Sequence, residues 1–199
     1  MKKINYVLFI CAASMVVACG PSRTSDDGEF SDAPQVAPGL PSESLQETES
    51  NAAMASISPA SGSEVSGSAT FTQLEDGRVH MILEVENLSS GEHALHLHVE
   101  GDCSAPDATS AGDHWNPTDD DHGKRGGNGY HQGDISNISV GDDGVGRVDM
   151  EIEGWTIGDG SDSDILNKAV IIHADPDDFV SQPSGAAGAR IACGVIEAM

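Results

Sequence analysis

The chain has 199 residues, enough for one domain of usual size and a tail, and its 9 Lys and Arg oppose 33 Asp and Glu. A surface with a net charge of −24 repels nucleic acid and anionic lipid, which excludes nucleic acid as a binding partner. Aromatic residues make up only 4% of the chain while Gly numbers 23. This composition favours a turn-rich β fold over a helical one.

The first residues have the pattern of an export signal, with Lys2 and Lys3 before an apolar run over residues 6–17. The run is too short for a comfortable membrane span. Val16-Val17-Ala18-Cys19 resembles a bacterial lipobox, a signal whose cysteine is lipidated and becomes the mature N-terminus. We predict a lipoprotein signal peptide over residues 1–18, lipidation at Cys19, and a location in the bacterial cell envelope facing the periplasm or the exterior. The alternative is an ordinary signal peptide that contains a cysteine.

Residues 19–51 are rich in Ser, Pro, Asp and Glu, and their large apolar residues are only Phe30, Val36, Leu40 and Leu45. Such a segment buries too little apolar surface to offset its ordering entropy. We predict a disordered acidic linker that holds a domain over residues 52–199 at roughly 30 Å from a membrane.

Short alternating segments separated by turn signals fill residues 52–199. Residues 78–86 alternate clearly, with Val79, Met81, Leu83 and Val85 on one face. The predicted strands are 65–74, 78–86, 94–99, 135–140, 145–153, 169–173 and 190–196. Their spacing predicts an all-β, antiparallel sandwich or barrel.

Histidines gather around one strand and the segment that follows it. His96 and His98 share a face of the strand over 94–99, while Leu95, Leu97 and Val99 take the other. Further candidates are His114, His122, His131, Asp134 and His173. Imidazoles with one carboxylate suit zinc or copper. Any one of these histidines is more often a surface or core residue, but the cluster predicts metal binding.

A long irregular segment over 101–133 requires internal crosslinks to be stable. Of the four cysteines, Cys11 lies in the signal and Cys19 is the lipidation site, which leaves Cys103 and Cys193. Two remaining cysteines in an exported protein predict a disulfide. The alternative is a pair of buried free thiols.

Several segments together resemble copper–zinc superoxide dismutase. The matching segments are 93–98, Gly101-Asp102-Cys103, 110–117, His122-Gly123, 131–134, 171–173 and 188–196. The resemblance implies a Greek-key fold with long metal-binding and electrostatic loops. It assigns one copper per chain to His96, His98, His114 and His173. It assigns one zinc per chain to His114, His122, His131 and Asp134, so that His114 bridges both metals.

The same resemblance implies roles for residues around the metals. Asp177 matches a carboxylate that joins a copper histidine to a zinc histidine; the alternative is a solvated acidic loop with Asp175 and Asp178. Arg190 matches a guanidinium that attracts and orients superoxide; the alternative is that it only hydrogen-bonds loop carbonyls near Cys193, and the resemblance implies both roles. His93 matches a structural histidine, and His80 matches no functional position. Since residues 174–189 hold no Lys or Arg, we expect any further steering charge from Lys124 and Arg125.

The predicted function is therefore the conversion of superoxide to O2 and hydrogen peroxide by alternate reduction and oxidation of copper, with His114 taking up a proton. The main alternative is an envelope lipoprotein that stores copper or zinc. A structural sandwich with decayed sites is disfavoured because every ligand position is present. The sequence predicts membrane contact only through the lipid anchor, and leaves open whether the domain is a monomer or a homodimer.

Overall fold

The computed structural model describes residues 51–199. The predicted signal peptide, Cys19 and the linker up to residue 50 lie outside the described residues. Within the described part, no helix is long and apolar enough to cross a membrane.

Eight antiparallel strands form a closed barrel, which confirms the predicted all-β class. In chain order they are β1 Ala52–Pro59, β2 Ser66–Gln73, β3 Val79–Glu86, β4 Gly91–His98, β5 Asp134–Val140, β6 Gly146–Ile152, β7 Ala169–His173 and β8 Arg190–Ala198. Around the barrel they lie in the order β1-β2-β3-β6-β5-β4-β7-β8. Because β7 returns to lie beside β4, strands β4 to β7 have the predicted Greek-key order.

The barrel interior follows from two-residue alternation. Val79, Met81, Leu83 and Val85 of β3 are fully buried, while Glu84 and Glu86 are exposed. The inward positions of neighbouring strands and Trp155 complete one continuous apolar cluster. The predicted strand over 94–99 extends one residue too far: β4 ends at His98, and Val99 is 37% exposed instead of sharing the buried face of Leu95 and Leu97.

Strand β1 is not among the predicted strands. Its inward side chains are Ala53, Ala55 and Ile57, all buried. Two of the three are alanines, so the segment shows little hydrophobic alternation and little β propensity. Its pairing with β2 and β8 nevertheless closes the barrel.

The outer face of β4, β7 and β8 is covered rather than exposed. Every residue of β7 is buried, and a second apolar cluster forms here from small residues such as Ala108, Ala111 and Ala169. Cys103 in the long loop is bonded to Cys193 in β8, with 5.8 Å between their Cα atoms. The predicted disulfide is therefore confirmed, and it fastens the loop over the face that carries the histidines.

Candidate metal centre

Adjacent strands β4 and β7 supply three of the histidines. In their antiparallel pairing His96 lies opposite Ile171, and His98 lies opposite Ala169. Register shifts occur at Leu95/His96 in β4 and at Ile172/His173 in β7. Such irregularities re-aim side chains at the edge of a functional site, and here they accompany the approach of His173 to the two β4 histidines.

The long loop is fixed to β4 by backbone hydrogen bonds around His114. Trp115 N–H donates to Leu97 O at 2.9 Å, Leu97 N–H donates to Gly133 O at 2.8 Å, and Gly133 N–H donates to Trp115 O at 2.8 Å. A Cβ on Gly133 would collide with the Leu97 carbonyl oxygen and lie 2.9 Å from Trp115 N. Glycine is therefore required where the loop approaches the strand.

Two groups of side chains place their ligand atoms within 4.8 Å of one another. The four-histidine cluster consists of His96, His98, His114 and His173, and the mixed cluster consists of His114, His122, His131 and Asp134. All seven residues are buried. The structure thus brings together every residue that the sequence proposed as a ligand, and His114 belongs to both clusters.

The hydrogen bonds leave one ring nitrogen of each histidine available. Nδ1 of His98 donates to Gly112 O at 2.8 Å, and Nε2 of His96 donates to Asp177 Oδ2 at 2.9 Å. Among residues 51–199, six buried ring nitrogens have no hydrogen-bond partner, and all six belong to the two clusters. They are His96 Nδ1, His98 Nε2, His114 Nε2, His122 Nδ1, His131 Nδ1 and His173 Nε2. Buried polar atoms without partners are costly, which indicates a ligand for both clusters.

His114 directs its two nitrogens at different clusters. Its Nδ1 lies 2.8 Å from Asp134 Oδ1 on the mixed side, whereas its Nε2 is unpaired on the four-histidine side. Asp134 Oδ2 also accepts hydrogen bonds from the backbone N–H groups of Gly123 at 3.1 Å and His131 at 2.8 Å. The carboxylate is thereby held in place for the mixed cluster.

Asp177 forms hydrogen bonds with one histidine of each cluster. Its Oδ2 accepts from His96 Nε2 and its Oδ1 accepts from His122 Nε2, each at 2.9 Å. The carboxylate is buried, so the alternative of a solvated acidic loop does not describe Asp177, although Asp175 and Asp178 are exposed. This placement orients one ring of each cluster.

Asn137 and Gln182 hold the backbones of Asp177 and His122 in place, and neither residue was predicted to have such a role. The Asn137 side chain donates to Asp177 O at 2.9 Å and accepts from Asp177 N–H at 2.8 Å. The Gln182 side chain does the same to the backbone of His122, with 2.9 Å for both hydrogen bonds. Amides in a strand and in a loop carry no sequence signal for such roles.

A model of the copper/zinc superoxide dismutase family matches residues 65–196 of this chain. The chain belongs to this family. Solved structures agree: a SOD-like protein from Bacillus subtilis is 32% identical, with a TM-score of 0.65 over 71% of this chain and 96% of that one. A double-mutant form of that protein is 33% identical, with a TM-score of 0.63, covering 71% of this chain and 95% of its own. The clock protein EA4 is 31% identical, with a TM-score of 0.68, covering 76% of this chain and 97% of its own.

The donor atoms of both clusters fit the metals that the dismutase family implies. Ligand atoms about 2.0–2.2 Å from a central ion lie about 3–4.4 Å from one another, which agrees with the 4.8 Å bound observed here. Four imidazole nitrogens suit copper, and three imidazoles with a carboxylate suit zinc. The unpaired buried nitrogens of each cluster are the observation that supports this fit.

Burial sets the protonation of the four-histidine cluster. It lowers the pKa of His96 to about 4, of His98 to about 2 and of His173 to about 3. These rings are therefore neutral at neutral pH, the state in which imidazole binds a metal.

The mixed cluster is governed by its carboxylates. Burial opposes charge on His122, but the carboxylates of Asp134 and Asp177 outweigh it and raise the pKa of His122 to about 9. Burial alone would raise the pKa of Asp134, yet the His114 ring hydrogen-bonded to it and the His122 ring, whose Nδ1 lies 3.0 Å from Asp134 Oδ2, hold it well below its ordinary value. Metal binding at this cluster must therefore release a proton from His122.

Arg190 lines the same cavity as the unpaired nitrogens of His98 and His173. Its guanidinium donates to Ala108 O at 2.8 Å and to Gly112 O at 2.7 Å. The predicted hydrogen bonds to loop carbonyls are thus present. Gly112 O also accepts from His98 Nδ1, so one carbonyl positions both a histidine of the four-histidine cluster and the arginine. Gly112 has φ +71°, a backbone conformation that favours glycine.

Arg125 does not have the steering position expected of it. Its guanidinium points inward and donates to Asp134 O at 2.7 Å and to Gln132 O. It also lies 5.0 Å from the Tyr130 ring and 5.2 Å from the Trp155 ring, and burial lowers its pKa. Arg125 therefore clamps the turn that presents His131 and Asp134. Lys124 is exposed beside Phe179 and does not line the cavity at His98.

The histidines outside the two clusters differ in environment. His93 is buried, and its Nδ1 donates to His173 O at 2.9 Å, as expected of a structural residue below the cluster. Nε2 of His80 lies 2.7 Å from Asp149 Oδ1 on the outer face of β3 and β6.

Proposed function

We propose that this protein is a superoxide dismutase: two superoxide ions and two protons give one O2 and one hydrogen peroxide. The observation that carries the proposal is the dual position of His114. His114 belongs to both clusters: its Nδ1 is hydrogen-bonded to Asp134 of the mixed cluster, and its buried Nε2 is unpaired. Storage of a metal does not require one imidazole shared between two sites.

Copper would be held by His96, His98, His114 and His173, and zinc by His114, His122, His131 and Asp134. When bound, copper supplies the one-electron chemistry that alternately oxidises and reduces superoxide. Asp177 supports both sets, because one carboxylate fixes a ring from each. One copper and one zinc per chain follow from this division.

The residues of the chain bind the substrate and supply a proton. Arg190 lines the cavity beside His98 and His173, where its positive charge can orient a small anion. His114 lines the cavity and its Nε2 has no hydrogen-bond partner, so Nε2 is the atom we propose to hold a proton for the product. Its Nδ1 stays on the Asp134 side, so the ring keeps its place while Nε2 gains and loses that proton.

Product stoichiometry tests the proposal. Protein loaded with copper and zinc is supplied with a measured amount of superoxide, and peroxide and O2 are quantified without added reductant. We expect half a mole of each product per mole of superoxide, formed much faster than in a zinc-only control. His114→Ala should lose most of this acceleration, because the variant lacks a ligand of both clusters. Stoichiometric copper binding without faster superoxide loss would favour metal storage.

We also propose that the reaction takes place at the bacterial cell envelope, because residues 1–19 have the pattern of a lipoprotein signal. Labelling of cells with a radioactive fatty acid tests this. The label should enter the wild-type protein and be absent from Cys19→Ser; a label in both would exclude Cys19 as the anchor.

A further inference from the structure

One cavity gives access to the four-histidine cluster. It has a volume of about 480 Å³, and its lining includes His98, His114 and His173. Nε2 of each of these three buried histidines has no hydrogen-bond partner. A small ligand that reaches these nitrogens, or a metal between them, approaches through this cavity.

The mouth of the cavity is acidic. Asp113 and Asp119 line it, and both are exposed to solvent. Arg190 is the one Arg or Lys among residues 51–199 that lines it, and it is partly buried. An approaching anion therefore meets two carboxylates near the surface and one guanidinium deeper in.

Hydrogen bonds and nearby carboxylates also weaken the field that Arg190 presents to the cavity. Two of its nitrogens donate to Ala108 O and Gly112 O, and it lies in the field of Asp113 and Asp107. The other basic residues of the described chain do not line the cavity. They are Arg78, Lys124, Arg125, Arg147 and Lys168.

Most of the other basic side chains are already paired with carboxylates or backbone carbonyls, so they offset little of the negative charge of Asp113 and Asp119. Arg78 forms salt bridges with Asp76 and Glu151, and Arg147 forms one with Glu84. Arg125 is turned toward backbone carbonyls. Lys124 and Lys168 lie over the rings of Phe179 and Trp115. Within residues 51–199, Arg190 is thus the one basic side chain at the cavity that offsets the charges of Asp113 and Asp119.

We propose that Asp113 and Asp119 determine the charge selectivity of this cavity by opposing the entry of small anions. The proposal rests on the proposed function, since it assumes that the substrate reaches copper by this route. Because salt screens the repulsion between like charges, anion capture becomes more favourable as ionic strength rises. The uncharged, protonated form of superoxide meets no such barrier.

Azide is a suitable probe because it is a small anion that binds copper and changes its absorption. We would titrate the copper- and zinc-loaded protein with azide between low and physiological ionic strength, using a salt whose anion does not bind copper. The variants are Asp113→Asn, Asp119→Asn and the double variant. Asp142→Asn is the matched control, because Asp142 is an exposed aspartate in the β5–β6 turn and does not line the cavity.

In the wild-type protein, azide affinity should increase as ionic strength rises. In water, one unit charge about 8 Å away changes the affinity for a monovalent ion about twofold. On this scale, removal of one aspartate charge should raise the azide affinity about twofold at low salt, and removal of both about fourfold. In the double variant the positive charges of Arg190 and of the bound metal ions dominate, so its affinity for azide should decrease as salt is added. Asp142→Asn should match the wild type. The proposal is overturned if wild-type affinity decreases with salt and the double variant binds azide no more tightly than the control.

The azide result does not depend on turnover, so it separates this proposal from the proposed function. If the loaded protein fails to accelerate superoxide loss, the proposed function is wrong while azide binding still decides the charge selectivity. If it does accelerate the loss, the rate constant should rise with ionic strength in the wild type and fall in the double variant. A wild-type rate that falls with salt would overturn the role of the two aspartates. Metal content and circular dichroism of each variant establish that it is folded.

Discussion

The carboxylate of Asp177 offers a sharp test of the arrangement behind the two clusters. Asp177→Asn keeps the size of the side chain but leaves one oxygen where there were two. One of the rings of His96 and His122 then keeps an acceptor, and the other faces an amide N–H₂. Each hydrogen bond to a charged acceptor contributes about 1.5–3 kcal/mol, and loss of an orienting partner lowers metal affinity about 10–100-fold.

We therefore expect Asp177→Asn to lower the affinity for zinc or copper by at least about tenfold, equivalent to about 1.4 kcal/mol. Competition with chelators of known affinity measures both constants. Asp178→Asn is the matched control: it removes the same charge from the next residue, and its remaining oxygen can still accept from the N–H groups of Val180 and Ser181. If both variants bind both metals as tightly as the wild type, Asp177 does not orient the ligands.

Three other perturbations test neighbouring parts of the account. Arg125→Met should lower the free energy of unfolding by about 2–4 kcal/mol and should also weaken zinc binding, because two partly buried carbonyls lose a charged donor; unchanged urea unfolding and zinc binding would show that Arg125 does not hold the turn. Replacement of Cys103 and Cys193 by serine should destabilise the domain by about 4–5 kcal/mol in the chain-entropy model, since the bond spans 90 residues; an unchanged unfolding midpoint would contradict this. The metal-free protein should lose stability as the pH falls from 6.5 to 5, which urea unfolding at both pH values measures. Unfolded histidines bind protons at a pKa of about 6.5, whereas burial lowers three pKa values to about 4, about 2 and about 3 in the fold. The unfolded state then binds more protons, which costs up to about 4 kcal/mol per pH unit for the three together; equal stability at both pH values would contradict these shifts.

Strands whose hydrophobic alternation is strong were predictable from the sequence. β3 is the example, since valine, methionine and leucine mark its buried positions at every second residue. β7 was predictable for a different reason, because it is a short continuous apolar run that is buried on both faces. β1 was missed because its inward alanines carry almost no signal, and its strand structure is imposed by pairing with β2 and β8. Tertiary contacts override local propensity in such segments.

The residues of the two clusters were predictable because few side-chain types bind zinc or copper, and the structure brings all seven together. The supporting residues were not. Arg125 has the sequence signature of a surface charge, yet the two aromatic rings and two carbonyls that surround it come together only in the fold. Asn137 likewise supports Asp177 across 40 residues of chain, a contact that no local pattern encodes.

The most direct test of the account is the dependence of superoxide decay on copper content. Superoxide would be generated by pulse radiolysis in solutions of the zinc-loaded protein carrying increasing copper, and its decay followed by absorption. We predict a decay rate that rises in proportion to bound copper, reaches its maximum at one copper per chain, and stays well above that of the zinc-only protein. Full copper occupancy with decay no faster than in the zinc-only protein would contradict the proposed dismutase function.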